Sequence, residues 1–238
     1  MNNTINRKTE LHYILYGIVF LVLFVLSCEK NDNPVGDDKA DVIMPLTVGN
    51  QWSFIDSTFS TSGAFVRRDS SRLGITGTTS IQYGGATVQV FHWNWFNIQT
   101  GVADPWKWLT CNEPDGRYVY GGQSAKGTFV LSKSLSEKFP VTVGDTWLRY
   151  NIITTGDSTF KVRDTLLMRC TALEEPFNTS AGTLKCIVYY YQQPPTIPGT
   201  VIRDQWLYYV PNLGYVGLVG RQNGVVVFKK TISWFQLK

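Results

Sequence analysis

Two short segments that each carry a carboxylate recur in the same local context, and paired carboxylates can do acid–base chemistry. Arg68-Asp69 and Arg163-Asp164 lie 95 residues apart. A glycoside hydrolase needs two carboxylates at a suitable separation, so such a pair is one candidate catalytic unit. However, neighbours on a strand point to opposite faces, and a duplicated segment carries both pairs whether or not they react. We therefore favour a structural ion pair, or a hydrogen bond to the Pro-x-Thr-Val-Gly turn that precedes each pair, and assign no catalytic residue.

Other catalytic and metal-binding groups are scarce. His92 is the only histidine after residue 27, which excludes zinc sites built from several histidines and leaves little for a histidine-based triad. It lies in a predicted strand beside a Trp, where a packed histidine is commoner than a catalytic one. The sequence has no Gly-rich phosphate loop and no Gly-x-Ser-x-Gly elbow. We predict no metal ion and no cofactor.

The densest aromatic cluster of the chain is the run 91–96. Alternation along a strand places Trp93 and Trp95 on one face, and Trp106 and Trp108 share a face of the next predicted strand. If these strands pair, a patch of Trp forms across them. The patch is either part of the core, because Trp is normally well buried, or a surface that binds sugars or acyl chains. These four residues are the candidate ligand-binding residues.

Three cysteines follow residue 28, and their number is odd: Cys111, Cys170 and Cys186. The last two lie on the two arms of one predicted hairpin. A disulfide between Cys170 and Cys186 is one alternative if the chain is exported. Separate, buried thiols are the other alternative.

Length and composition describe a globular protein without a nucleic-acid-binding face. The 238 residues are 43% hydrophobic and include eight Trp, so a sizeable core can form. The net charge is +4. No run of Lys and Arg exceeds two residues, so we predict no nucleic-acid partner.

The body of the chain contains an internal repeat. The segment 45–52, Pro-Leu-Thr-Val-Gly-Asn-Gln-Trp, returns at 140–147 as Pro-Val-Thr-Val-Gly-Asp-Thr-Trp. Further matches follow at offsets of 95 to 98 residues, including Trp108 with Trp206 and Gly116 with Gly214. We predict a β domain over 42–238 made of two copies, about 44–130 and 139–238.

Turn residues recur at short intervals and no amphipathic helix is present, so the fold class is all-β. We predict an antiparallel meander built from two similar halves, forming a barrel-like sheet, a half-barrel or a sandwich. Residues 131–138 are the only stretch that could hold a helical turn, and 174–182 is a predicted hairpin loop.

The N-terminus has the pattern of an export signal. Arg7 and Lys8 precede an apolar run over 13–26, too short to span a bilayer. Val25-Leu26-Ser27-Cys28 resembles the lipobox of bacterial lipoproteins. That resemblance implies cleavage of a signal peptide, 1–27, and acylation of Cys28, including palmitate-type chains. The charged segment 28–41 is a predicted disordered tether.

The Pro-x-x-Val-Gly-x-x-Trp opening and the Tyr-Val-Pro-Asn-Leu-Gly-Tyr-Val-Gly ending resemble those of a group of Gram-negative lipoproteins with no established activity. The acidic segment just behind Cys28 resembles the tails of outer-membrane and surface lipoproteins of some Gram-negative bacteria, which implies an outer-membrane location, on the periplasmic or cell-surface side. The expected function is a binding or scaffold domain for a lipid, a glycan or a partner protein, as in half-barrel carriers of acyl chains. The alternative is a surface glycoside hydrolase.

Cys28 is the residue on which the membrane anchor depends. We predict that Cys28→Ala abolishes acyl labelling and leaves an unprocessed precursor, because the modified sulfur and the cleavage site are both lost. Metabolic labelling with a palmitate analogue, followed by membrane fractionation, measures both effects. Normal processing and membrane retention of the variant would show that Cys28 is not the anchor.

Overall fold

A computed structural model describes most of the chain after residue 40. It covers residues 41–104, 106–154, 160–193 and 202–238, without the side chains of 151–154 and 160–164. The predicted signal peptide, Cys28 and nearly all of the tether lie outside these residues, as do the side chains of Arg163 and Asp164. Within the described residues no helix has the length and hydrophobicity needed to cross a membrane.

The protein is all-β, as the turn pattern predicts. Twelve strands follow one another in the chain: β1 Gln51–Phe59, β2 Phe65–Tyr83, β3 Ala86–Asn97, β4 Lys107–Glu113, β5 Gly116–Gln123, β6 Phe129–Lys138, β7 Thr146–Thr154, β8 Phe160–Thr179, β9 Gly182–Gln193, β10 Arg203–Val210, β11 Gly214–Gln222 and β12 Val225–Gln236.

All twelve strands form one antiparallel sheet in the order β6-β5-β4-β3-β2-β1-β12-β11-β10-β9-β8-β7. Each half is a meander, and β1 pairs with β12 to join the halves. The sheet curls until its edge strands, β6 and β7, face each other. The Tyr150 N–H donates to Ser134 Oγ at 2.8 Å, and Trp147 Nε1 donates to the Ser136 carbonyl at 3.3 Å. We call this junction the seam, because it is the only place where the barrel-like sheet of described residues lacks a backbone ladder.

The two halves correspond strand by strand, from β1 with β7 to β6 with β12. Gly49 and Gly144 hold the turns before β1 and β7 at φ of 96° and 97°, a conformation that glycine adopts without strain. Their N–H groups donate to the carbonyls of Ile75 and Cys170 at 2.8 and 2.9 Å. These acceptors are again 95 residues apart. Such a correspondence is the pattern that an internal repeat would produce.

The main core fills the inside of the curled sheet. Trp52 is fully buried and its indole N–H donates to the Leu213 carbonyl at 2.7 Å. Ile43 and Met44, in the segment before β1, are also buried in this core. The segment is held by the β10–β11 turn, where the Asn212 N–H donates to the Val42 carbonyl at 2.8 Å. The N-terminal segment therefore closes one end of the sheet.

Two local predictions were wrong. Residues 131–138 are extended in β6, and 174–182 is mostly strand, because β8 runs to Thr179 and turns only at residues 180–181. The inward positions of β6 carry Ser134 and Ser136, so the apolar alternation that marks a strand is missing.

The alternative of a disulfide between Cys170 and Cys186 was also wrong. Cys170 and Cys186 are free and buried. Cys170 lies opposite Tyr189 and Cys186 opposite Glu175, so the two residues are not cross-strand partners. Burial raises the pKa of both thiols, that of Cys186 to about 12, so neither is activated as a nucleophile.

The burial of Trp52 predicts a large effect on stability. We expect Trp52→Ala to lower the free energy of unfolding by about 3–5 kcal/mol, because the indole fills core volume and its N–H is hydrogen-bonded. The control is Trp234→Ala, which removes a 47% exposed indole and is expected to change stability by less than about 0.5 kcal/mol. Urea unfolding followed by circular dichroism measures both. Equal midpoints for the two variants would contradict this account of the core.

Candidate functional site

A cavity of about 160 Å³ lies inside the sheet at the seam. Its walls come from β3, β4, β5, β6 and β7, so strands from both halves build it. It is lined by Trp93, Trp95, Trp108, Arg117, Val119, Ser134, Ser136, Arg149 and Tyr150. We call it the seam cavity. Three indole rings, one tyrosine, two guanidinium groups and two serine hydroxyl groups meet here.

The aromatic wall contains three of the four Trp residues that the sequence singles out. Trp93 on β3 lies directly opposite Trp108 on β4, and Trp95 follows on the same face of β3. Trp93 is only 7% exposed, whereas Trp95 and Trp108 are half-buried. Trp106 precedes β4 and is not among the residues that line the seam cavity. The Trp patch is therefore continuous with the core and also borders open space.

A buried ion pair forms the base of the seam cavity. Arg117 Nε and Nη2 each lie 2.5 Å from Glu137 Oε2, and Arg117 Nη1 donates to Thr110 Oγ1 at 3.1 Å. The two side chains are 5% and 1% exposed. The Arg117 guanidinium also lies 4.0 Å above the centre of the Trp93 ring. Arg117 thus connects the aromatic wall to Glu137.

A β-bulge brings two polar residues of β6 inward together. Arg117 lies opposite Glu137 but Tyr118 lies opposite Leu135, so Ser136 is an extra residue in the ladder. Bulges re-aim side chains and are common beside binding sites. Here the bulge lets Ser136 Oγ accept from Arg117 Nη2 at 3.0 Å and donate to Glu137 Oε1 at 2.9 Å.

Glu137 remains ionised despite its burial. Burial alone would raise the pKa of its carboxyl, but Arg117, Arg149 and the hydrogen bonds to the carboxylate outweigh that effect and hold the pKa below its usual value. The Tyr209 hydroxyl donates to Glu137 Oε1 at 2.8 Å. Burial and the adjacent Glu137 charge raise the pKa of Tyr209 well above its usual value, so it stays a neutral donor.

Arg149 reaches the cavity from β7. Its Nη1 lies 4.0 Å from Glu137 Oε1, beyond hydrogen-bond distance, and its side chain is 29% exposed. Within the described part of the chain its guanidinium makes no hydrogen bond. Arg149 is therefore a partly buried cation whose donors face the cavity and solvent.

A second, open cavity of about 780 Å³ adjoins the same Trp95. Its ionisable lining residues are Asp56, Arg67, Asp69, Asp104 and Lys230, and it also includes Phe96, Phe228 and several hydroxyl groups. We call it the open cavity. Because Trp95 lines both cavities, a chain-like ligand could contact both at once.

Both cations of the open cavity are paired with carboxylates, and its three Asp leave one net negative charge. Lys230 Nζ lies 3.0 Å from Asp56 Oδ1, donates to Ser71 Oγ at 2.7 Å and sits 4.2 Å over the Trp95 ring. Burial lowers the pKa of Lys230, and Asp56 opposes part of this shift. Arg67 pairs with Asp69 at 3.1 Å.

The sequence prediction for Asp69 was partly right. Asp69 is in an ion pair, but its partner is Arg67, and it lies across from Asp56 on β1 instead of at the Pro-x-Thr-Val-Gly turn. The backbone of Gly49 and Asn50 makes the bonds that join this turn to β2.

His92 lies outside both cavities. It is half-buried opposite Leu109, on the face of β3 that points away from Trp93. Burial, with a smaller effect from Lys107, lowers the pKa of His92. Among the described residues no group of three or more His, Cys, Asp or Glu side chains is arranged to hold a metal ion.

The sequence did not reveal Arg117, Glu137, Arg149, Ser134 or Ser136 as site residues. They lie on three strands, and none belongs to a recognisable motif. The bulge at Ser136 leaves no local signature. One weak signal is that the segment Ser134-Leu135-Ser136-Glu137 is polar at three of its four positions.

The Arg117–Glu137 pair predicts strongly non-additive stability effects. We expect Arg117→Met to destabilise the fold by about 3–5 kcal/mol, because it leaves Glu137 charged, buried and without its cation. Adding Glu137→Met should restore most of that loss. Lys185→Met is the control: its pair with Glu174 is solvent-exposed and should contribute below about 1 kcal/mol. Urea unfolding of the wild-type protein, Arg117→Met, the double variant and the control measures these effects. A double variant no more stable than Arg117→Met would contradict the buried pair.

Comparisons with known proteins give two structural relatives. No protein-family model and no curated protein matches the chain. A crystal structure from Bacteroides fragilis, described as an exported protein with a YmcC-like fold, aligns with a TM-score of 0.46 and 12% identity over 83% of this chain and 100% of that chain. A crystal structure from Parabacteroides distasonis, described as a lipoprotein, aligns with a TM-score of 0.47 and 14% identity over 82% and 99%.

Proposed function

We propose that this protein is an exported lipoprotein, anchored to the outer membrane through Cys28, whose curled sheet binds a glycan in the seam cavity. The observation that carries the proposal is the meeting of Trp93, Trp95 and Trp108 with Arg149 in one accessible space. Indole faces stack on the apolar faces of sugar rings, while fixed polar groups orient the hydroxyls.

The size of the seam cavity suits one ring. A cavity of about 150 Å³ accommodates benzene, and the seam cavity measures about 160 Å³. The adjoining open cavity offers hydroxyl and carboxylate groups for further sugar units, including Ser70, Asp104 and Thr100. The proposal is therefore a terminal or single sugar in the seam cavity, with the rest of the glycan in the open cavity.

An acyl chain fits the seam cavity less well. It would lie against the guanidinium of Arg149 and remove water from it without supplying an acceptor. Burying a charge in this way carries a large free-energy penalty. Glycan hydroxyls and ring oxygens can accept those N–H groups.

Hydrolysis of the glycan is also less well supported than binding. Three carboxylates line the open cavity: Asp56 and Asp69 are engaged by Lys230 and Arg67, and Asp104 Oδ1 accepts the backbone N–H of Trp106 at 3.0 Å. Glu137 is buried beneath Arg117. A glycosidase needs one carboxyl group free to protonate the leaving oxygen and a second free to act as base or nucleophile.

The test is a binding panel on the intact lipoprotein in detergent micelles. The probes are cellotetraose, xylotetraose, tetragalacturonate, a chondroitin tetrasaccharide and lauric acid, read out by tryptophan fluorescence and calorimetry. We expect at least one saccharide to bind and lauric acid not to compete with it. Binding of lauric acid with no saccharide binding would replace the glycan by a lipid, and no binding at all would overturn the proposed function.

Substitution of Trp108 tests whether the saccharide binds in the seam cavity. Trp108→Ala should weaken saccharide binding roughly tenfold or more, because one wall of the seam cavity is removed. Trp206→Ala is the matched control: it removes a half-buried indole from β10, which contacts Tyr190 and Arg221 away from either cavity. Equal losses in the two variants would show that binding does not occur in the seam cavity.

A further inference from the structure

We propose that the bound glycan is acidic, and that Arg149 binds its carboxylate or sulfate group. This inference rests on the proposed function and specifies its substrate class. It depends on the charges that line the seam cavity and on the hydrogen bonds already made by Glu137.

The ionisable side chains lining the seam cavity are two arginines, Arg117 and Arg149. The nearby carboxylate, Glu137, is not part of the lining and lies beneath Arg117. These three groups together carry one net positive charge. In a partly desolvated space an unbalanced charge is stabilised by a ligand of opposite sign.

Glu137 does not hydrogen-bond to Arg149, because its acceptor positions are occupied. A carboxylate offers about four acceptor positions. Oε2 takes Arg117 Nε and Nη2 at 2.5 Å, and Oε1 takes the hydroxyls of Ser136 and Tyr209 at 2.9 and 2.8 Å. Arg149 remains 4.0 Å away. Arg117 is thus committed to structure, while Arg149 is available.

The position of Arg149 suits recognition of an anion next to a sugar ring. Its neighbour Tyr150 is fixed to β6 by the backbone bond to Ser134 Oγ, so β7 holds Arg149 in register with the cavity. A guanidinium presents parallel N–H donors that match the two oxygens of a carboxylate or sulfate. An acidic sugar places such a group directly on a ring that the Trp wall can contact.

Lys230 in the open cavity is a useful comparison for Arg149, because its charge is compensated within the protein. Lys230 lies within 3.0 Å of Asp56 and donates to Ser71. Its charge is therefore balanced without a ligand. Among the described residues Arg149 has only Glu137 at 4.0 Å, a carboxylate already hydrogen-bonded to Arg117, so the anionic group of the glycan belongs in the seam cavity and not in the open cavity.

The experiment compares matched acidic and neutral glycans on the intact protein. The pairs are tetragalacturonate with its full methyl ester, and a chondroitin tetrasaccharide with its carboxyl-reduced form. A sulfated chondroitin tetrasaccharide distinguishes sulfate from carboxylate. We expect the acidic member to bind roughly tenfold or more tightly than the neutral one, and this preference should weaken as salt rises from about 0.05 to 0.5 M.

Arg149→Met should remove the preference by weakening binding of the acidic glycan much more than binding of its neutral partner, which loses only neutral hydrogen bonds. Arg169→Met, an exposed arginine on β8, is the control for loss of one positive charge. Equal affinity of the wild-type protein for acidic and neutral members would overturn the acidic-glycan inference while the proposed function stands. Absence of binding to every saccharide would overturn both. The wild-type comparison decides even if Arg149→Met fails to fold.

Discussion

The buried contact between Arg117 and Glu137 is the interaction on which the seam depends. Every other neighbouring pair of strands is joined by a backbone ladder, but β6 and β7 meet through side chains. The ion pair fixes β5 against β6, and Tyr209 ties Glu137 to β10 in the other half. A charge pair this deeply buried is stable only when its hydrogen bonds are complete. The bulge at Ser136 completes them.

The same aromatic residues serve the core and the cavities, which constrains both. Trp95 packs 5.5 Å from Phe54 and 6.2 Å from Tyr215, and it also borders both cavities. Trp147 packs edge-to-face on Tyr189 at 5.2 Å while its N–H holds β6. A ligand in the seam cavity would therefore contact side chains whose positions are already fixed by packing. Such preorganisation lowers the entropic cost of binding.

Local rules of the sequence predicted the regular parts of this fold and missed the seam. The glycines before Trp52 and Trp147 marked the turns. Strand alternation, together with the expected pairing of consecutive strands, placed Trp93 and Trp108 side by side on neighbouring strands. The pairing of Arg117 with Glu137 depends on an extra residue in β6, and a bulge has no sequence signature. The approach of β6 to β7 depends on how far twelve strands curl. Neither can be read from spacing or composition, because both are set by long-range geometry.

The two halves meet at two joints, the β1–β12 pair and the seam between β6 and β7, and these joints carry different residues at equivalent strand positions. The fourth residue of β1 is Phe54 and that of β7 is Arg149, while the second residue of β11 is Tyr215 and that of β5 is Arg117. At the joint of β1 with β12, Phe54 and Tyr215 pack at 5.3 Å, and a backbone ladder with one register shift at Ser53–Phe54 joins the strands. At the seam the corresponding positions hold two guanidiniums that cannot pack together. Both guanidiniums line the same partly desolvated cavity, where repulsion between them opposes dry packing, and Glu137 hydrogen-bonds to Arg117 alone. The two joints therefore differ in the residues at these positions: packed aromatic rings where a backbone ladder forms, and cations beside an open cavity where it does not.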